Sequence, residues 1–201
     1  INLANARRNP RAQTRDWKLQ AQHFAANDEF NPRVEGELRR RDCGQISDGC
    51  AVLFLCSEAF AREHARREGR SKHYPSILGW GQRSSVLPLA EKLPDSAAGG
   101  LMFPHLQRTI NDALGRAGIA DAWQLDLIET HDCFTVSEYL ALEHFGLTAP
   151  GKAWQVIEDG SIELGGRLPV NPSGGLIGAG HPVGATGVRM LLDAWRQVEQ
   201  Q

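Results

Sequence analysis

The sequence lacks the cysteine spacing of a disulfide-rich or zinc-binding module. Its 201 residues include four cysteines, none of them in a C-x-x-C pair: Cys43, Cys50, Cys56 and Cys133. Small secreted domains carry much denser cysteine frameworks, whereas the thiols of cytosolic proteins stay reduced. We therefore expect a cytoplasmic protein with free cysteines and no structural metal.

Long apolar runs and an excess of one charge are also missing. No apolar stretch approaches the roughly 20 residues that span a bilayer. The 22 basic and 24 acidic residues leave a net charge of −2, which gives no electrostatic attraction to nucleic acid or to an anionic membrane surface. We expect neither a nucleic-acid partner nor a membrane partner.

What is present is an alternation of short apolar runs and helical patterns. The runs at 50–56, 76–82 and 125–130 are typical of buried strands. Helical spacing follows at 57–69, 103–118 and 135–146, and again from about residue 185 onward; Pro104 marks one helix start and Gly118 its end. This order predicts an α/β fold with helices packed on a mixed sheet.

The segment "ETHDCFT" places His131, Asp132 and Cys133 on the turn between a predicted strand and a predicted helix. Thr135 and Glu138 have the spacing of a capping box for that helix. Open α/β sheets hold catalytic groups at the carboxyl ends of their strands, so the imidazole and the thiol are candidates for proton transfer or nucleophilic attack. The alternative is a packing role for Cys133 and a turn role for His131.

The segment "NPSGGLIGAGHPVGATGVRM", residues 171–190, is rich in glycine and contains one imidazole, His181. Its G-x-G-x-x-x-G spacing departs from both the dinucleotide-binding and the Walker phosphate loops. Glycines permit close backbone approach, and Pro182 restricts the chain next to the ring, which favours a fixed imidazole. A plain tight turn remains open, whereas zinc binding by His131, Cys133 and His181 has no recognised ligand spacing.

Taken together, these segments resemble the thiolase family. The glycine-rich segment resembles the C-terminal thiolase signature with its G-H-P histidine, and "HDCF" is similar to the motif of sterol-carrier-type thiolases. "ISDGCAVLFLCSE" and "ARRNPRAQTR" resemble the strand that closes the N-terminal half and the end of the loop domain. The resemblance implies a thiolase-like fold represented by its C-terminal βαβαβ half, incomplete without the N-terminal half and the final hairpin. It divides the chain into a loop-domain remnant (1–40), the last strand and helix of the N-terminal half (41–73), and the C-terminal domain (74–201).

The resemblance also implies an activity and site residues. Thiolases are acyl-CoA C-acyltransferases that cleave or condense 3-oxoacyl-CoA, with coenzyme A as a substrate and no cofactor. By resemblance, His181 activates a nucleophilic cysteine and binds the thioester oxygen, His131 belongs to the oxyanion hole, and Cys133 is the acid/base. Asn171 and Gly180 would shape the substrate-binding loop. A homodimer or tetramer is implied for the complete enzyme.

One departure from the family pattern concerns the nucleophile, which thiolases carry in a C-x-S motif. Cys43, Cys50 and Cys56 are not followed by serine two residues on, so the chain is predicted to be inactive alone. The alternative is a non-catalytic thiolase-like subunit that binds acyl-CoA or acts as a scaffold. Archaeal-type acetoacetyl-CoA thiolases, which usually have alanine in the place of Cys133, are a neighbouring possibility, and a dinucleotide-binding fragment is a third.

Overall fold

The computed structural model describes residues 1–70, 74–92 and 100–200, so the predicted domain boundary at residue 73 lies outside the described residues. The α-helices are α1 (Asn2–Arg8), α2 (Glu58–Arg67), α3 (Pro104–Ala117), α4 (Thr135–His144), α5 (Trp154–Glu158), α6 (Gly175–Ala179) and α7 (Thr186–Gln200). Single 3₁₀ turns lie at Ala21–His23, Arg40–Asp42, Leu89–Glu91, Ala122–Gln124 and Val183–Ala185. The strands are β1 (Arg33–Glu35) and β2 (Leu38–Arg39), an antiparallel pair.

The four predicted helices are present as α2, α3, α4 and α7, and local chemistry sets several of their ends. Ser57 caps α2 by accepting a hydrogen bond from the Phe60 amide at 3.2 Å. Pro104 begins α3, where its missing N–H costs nothing. Gly118 follows α3 in the left-handed conformation, with φ of 72°. These signals are local, which is why the sequence predicts them.

The predicted βαβαβ arrangement on a mixed sheet is not found. Among the described residues, the one sheet is the short β1–β2 pair, and the segments 50–56 and 76–82 form no ladder. Their side chains are open to solvent: Phe54 is 92% and Leu78 70% exposed. A strand requires a neighbouring strand for its backbone groups, and an apolar run alone does not supply that neighbour. Only the segment 125–130 pairs at all, through one parallel bridge between Ile128 and Val170.

The main hydrophobic core lies beneath helix α4. Leu142 of this helix is 1% exposed and packs with apolar residues of the segments before and after it. The buried members of this cluster are Ala122, Ile128, Leu142, Leu147, Ala153, Val156, Ile162, Leu168 and Val170. The Ile128–Val170 bridge lies in this core. It fixes the start of the two loops that follow these residues, one leading to residue 131 and the other beginning at residue 171.

Helix α1 packs against the short helix α6 of the glycine-rich segment. Ala6, Ala12 and Ala179 form a small buried cluster between them. The amide of Thr14 donates to the Gly178 carbonyl at 3.3 Å, and its hydroxyl donates to the same oxygen at 2.6 Å. The first 14 residues therefore brace the glycine-rich segment. No helix in the described ranges has the length and apolar character needed to cross a membrane.

Candidate active site

Two loops that leave the core bring the predicted histidines together. His131 follows the Ile128 bridge, and His181 lies between α6 and α7. Their rings meet edge to face, with centroids 5.4 Å apart and an interplanar angle of 86°. His181 is buried, at 9% exposure, whereas His131 is exposed. Two side chains that are 50 positions apart in the sequence thus meet in one site.

The segment 43–47 joins the two histidine-bearing loops. The Gly44 amide donates to the Cys133 carbonyl at 2.7 Å. The His181 amide donates to Oγ of Ser47 at 2.8 Å, and the Ser47 amide donates back to the His181 carbonyl at 3.3 Å. These bonds fix the backbone on both sides of the histidine pair. Sequence reasoning missed Ser47, because its partner is 134 positions away.

Asp132 connects the same two loops through its side chain. Its carboxylate is fully buried and accepts hydrogen bonds from the amides of Leu176 at 2.6 Å and Ile177 at 3.4 Å. These amides belong to the first turn of α6, where unpaired N–H groups favour a negative charge. Burial raises the pKa of Asp132, and the two amide bonds oppose that rise. Asp132 therefore holds the His131 turn against the glycine-rich segment.

Gly175 makes this contact possible. It has a φ of +63°, and a Cβ at this position would lie 2.3 Å from Oδ2 of Asp132. Any side chain here would displace the carboxylate and would also strain the backbone. This explains one glycine of the segment by packing rather than by phosphate binding.

A second carboxyl group, that of the half-buried Glu138, lies beside Asp132. The Nδ2 group of Asn2 is 2.7 Å from Oδ2 of Asp132 and 2.7 Å from Oε2 of Glu138, and donates to both. Burial, reinforced by the charge of Asp132, raises the pKa of Glu138 from 4.5 to about 7. The two carboxyl groups share one amide donor at a largely desolvated site, so ionising both is unfavourable.

The predicted capping box of Thr135 and Glu138 was wrong, because Glu138 accepts a hydrogen bond from Asn2 instead of a backbone amide of its own helix. The N-cap of α4 is Phe134, without a side-chain cap. Thr135 instead donates from its hydroxyl to Oδ1 of Asp42 at 3.0 Å. The T-x-x-E pattern is satisfied by tertiary partners that are far away in the sequence.

The remaining predicted residues lie on the two segments that carry the histidines. Cys133 is half-buried, with its Sγ 3.7 Å from Oγ of Ser137. Asn171 is fully buried at a φ of 50° and accepts the Thr130 amide at 2.8 Å through Oδ1. Gly180 has a φ of 113°, and a Cβ there would meet the Gln13 side chain at 2.8 Å. Asn171 and Gly180 thus have conformations that set the course of the loop.

Both imidazoles of the site favour the neutral form. His131 is exposed as a residue, but the partial desolvation of its ring against neighbouring groups lowers its pKa. Burial also lowers the pKa of His181, helped by His131 and Arg189 and opposed by Asp132. The usual histidine pKa is about 6.5, so near neutral pH each ring carries one N–H donor and one lone pair. Within the described ranges, no three His, Cys, Asp or Glu side chains are arranged to hold a metal ion.

The site thus contains two adjoining imidazoles that favour the neutral form and the half-buried Cys133 on the same turn as His131, all on backbone segments held together by hydrogen bonds. Comparison with known proteins gives the family. Residues 95–201, just over half of the chain, match the family described as Thiolase C-terminal domain-like. The chain belongs to the thiolase superfamily, which confirms the resemblance read from the motifs.

Several curated relatives share this similarity. The acetyl-CoA acetyltransferase of Methanothermobacter thermautotrophicus is 34% identical over 195 residues, which are 96% of this chain and 46% of that protein. Sterol carrier protein 2 of Gallus gallus is 32% identical over 146 residues, 73% of this chain and 25% of that protein. The chain therefore spans about half the length, or less, of the curated relatives it matches.

A solved structure has a similar backbone fold. The Ltp2-ChsH2(DUF35) aldolase superposes with a TM-score of 0.67 and 22% identity, over 98% of this chain and 47% of that one. At this identity the likeness concerns the fold alone. Together with the family match it supports a thiolase-like fold, although the described residues do not form the predicted sheet.

Proposed function

We propose that the protein to which this chain belongs is an acyl-CoA C-acyltransferase of the thiolase type. The observation that carries the proposal is the edge-to-face contact of His131 and His181 at 5.4 Å, beside the Cys133 turn. The relatives named acetyl-CoA acetyltransferase support the same class. The acyl chain length and the direction of reaction are outside the proposal.

In this proposal each side chain has one task. A nucleophilic cysteine, which the 201 residues do not supply in a C-x-S motif, attacks the 3-keto carbon of the substrate as its thiolate and forms an acyl-cysteine thioester. As the C–C bond breaks, negative charge develops on the thioester oxygen of the departing acetyl-CoA. The imidazole N–H groups of His131 and His181 stabilise this oxygen. The electron pair of the broken bond goes to the carbon of the departing acetyl-CoA, and the Cys133 thiol donates the proton that this carbon accepts. The thiol of coenzyme A then gives its proton to the Cys133 thiolate and attacks the acyl-cysteine, which releases the new acyl-CoA and restores the cysteine thiolate.

A basic groove next to the site supports an anionic substrate such as coenzyme A. Its volume is about 340 Å³, and the guanidinium of Arg41 stands 5.5 Å from the Trp17 ring. The lining residues are Trp17, Lys18, Leu19, Arg40, Arg41 and Gln45. Gln45 belongs to the segment 43–47 that contacts both histidine loops, so the groove adjoins the site. Three cations and an aromatic ring suit a phosphate-bearing nucleotide.

The test is thiolysis of acetoacetyl-CoA by the complete protein, with coenzyme A as the second substrate. Cys133→Ala and His181→Ala are expected to lower kcat by about 10²- to 10⁴-fold, the usual contribution of a proton-transfer group. Cys56→Ala, at an exposed cysteine to which the proposal assigns no role, is the matched control and is expected to leave kcat unchanged. The 201-residue chain alone is expected to show no turnover.

Two results would contradict the proposal. An unchanged kcat in Cys133→Ala would show that Cys133 is not the acid/base. Cleavage of acetoacetyl-CoA by the 201 residues alone would show that the reaction does not need a nucleophilic cysteine from outside these residues. The second candidate function is a non-catalytic acyl-CoA-binding or scaffolding subunit, which a complete protein without a C-x-S motif would favour. Saturable binding of acetoacetyl-CoA by the complete protein without turnover would establish that alternative instead.

A further inference from the structure

His181 has a hydrogen bond at one ring nitrogen, and its direction decides what the other nitrogen can do. Nδ1 lies 2.8 Å from Oγ1 of Thr186. Both residues are buried, at 9% and 2% exposure, and Thr186 is the first residue of α7. A hydroxyl can donate or accept, so the distance alone leaves both directions open.

The hydrogen bonds available to Thr186 select one direction. Within the described part of the chain, His181 is the one partner of Oγ1. If Nδ1 carried the ring proton and donated it, the buried hydroxyl hydrogen would have no acceptor, which costs free energy. If the hydroxyl donates to Nδ1, its hydrogen is satisfied and the ring proton resides on Nε2.

We propose that Thr186 is a positioning residue that holds neutral His181 in the Nε2–H tautomer. The ring then offers an N–H donor to a bound molecule, since among described residues Nε2 has no hydrogen-bond partner. An N–H at this nitrogen suits the oxygen of a thioester, whereas uptake of a thiol proton at Nε2 requires the other tautomer first. The role of Nε2 rests on the proposed function; the tautomer is a property of the chain itself.

A second buried histidine, His144, has hydrogen bonds that require the opposite tautomer and can serve as an internal reference. His144, 2% exposed, has Nδ1 at 2.5 Å from the Leu140 carbonyl and accepts the Phe103 amide at Nε2 over 2.9 Å. A carbonyl only accepts and an amide N–H only donates, so the proton of His144 must be on Nδ1. His144 and His181 are therefore expected to show opposite tautomers in one spectrum.

The test is a long-range ¹H–¹⁵N correlation spectrum of the uniformly ¹⁵N-labelled chain, recorded where His181 is neutral. The signals are assigned by their loss in His181→Gln and His144→Gln. The expected result is an unprotonated Nδ1 and a protonated Nε2 for His181, with the reverse for His144. The same pattern in both residues, with the proton of His181 on Nδ1, would overturn the proposal.

Variants then connect the tautomer to the hydroxyl. Thr186→Val keeps the branched shape and removes the donor, so the ratio of Nε2–H to Nδ1–H is expected to fall about fivefold, the effect of one hydrogen bond of ordinary strength. Thr186→Ser is expected to restore it. Thr14→Val is the matched control, because it removes a buried hydroxyl bond to the Gly178 carbonyl without touching the ring.

An unchanged ratio in Thr186→Val, or an equal change in Thr14→Val, would show that Thr186 does not set the tautomer. If Thr186→Val does not fold, the spectra of the unaltered chain and of Thr186→Ser still decide. The spectra require no turnover. Their failure and the failure of the thiolysis assay are therefore separate outcomes.

Discussion

Replacing Glu138 with glutamine is expected to stabilise the protein, and to do so increasingly as the pH rises. Glu138 shares a buried site with Asp132, and Asn2 donates to both carboxyl groups. Glutamine keeps an oxygen that can accept from Asn2, and it places an N–H₂ group where the protonated carboxyl would carry its O–H. The variant therefore preserves the neutral form of the site and removes the possibility of a second buried charge.

The magnitude follows from the pKa of Glu138, which rises from 4.5 to about 7 in the folded protein. Between these values the folded protein holds a proton that the unfolded chain has released, so the free energy of unfolding falls as the pH rises. Each pKa unit is worth about 1.4 kcal/mol, so the full loss is about 3 kcal/mol once the pH exceeds the folded pKa. Below the unfolded pKa both states are protonated and the loss vanishes.

Urea unfolding at about pH 5 and about pH 8 measures this loss. Between these conditions the unaltered protein is expected to lose about 2–3 kcal/mol relative to Glu138→Gln. Glu158→Gln, at an exposed carboxylate on α5, is the control and is expected to follow the unaltered protein. The reasoning fails if the difference in unfolding free energy between the unaltered protein and Glu138→Gln is the same at both pH values.

Two further predictions concern packing. Leu142→Ala, at 1% exposure in the main core, is expected to cost about 2–5 kcal/mol in urea unfolding; Leu164→Ala, at 45% exposure, is the control, and an equal cost for both would contradict the core assignment. Gly175→Ala places a Cβ 2.3 Å from a carboxylate oxygen of Asp132 at a φ of +63°. It is expected to cost about 1–3 kcal/mol by thermal unfolding. Gly184→Ala, whose Cβ would meet no atom within 4 Å, is expected to cost much less, and the converse order would refute the clash.

The four longest helices were predicted because their signals lie within a few residues of each other, whereas the short helices α1, α5 and α6 were not predicted. Ser57, Pro104 and Gly118 act on the amides and carbonyls of their own helices. The strands at 50–56 and 76–82 were not found, because strand pairing depends on a partner segment that an apolar run does not specify. The capping box at Thr135 and Glu138 failed for a similar reason, since both side chains take tertiary partners instead.

The sequence by itself determined the family and the residue types of the site: the H-D-C-F turn and the G-H-P loop carry chemistry that depends on side-chain identity. Only the tertiary structure decided what surrounds them. Ser47 and Asn2 contact residues of the site that are more than 100 positions away in the sequence. The hydrogen bond between Thr186 and His181 selects a tautomer only because both side chains are buried. Burial removes water as an alternative partner, so the fold rather than the motif fixes the proton positions and the charges of this site.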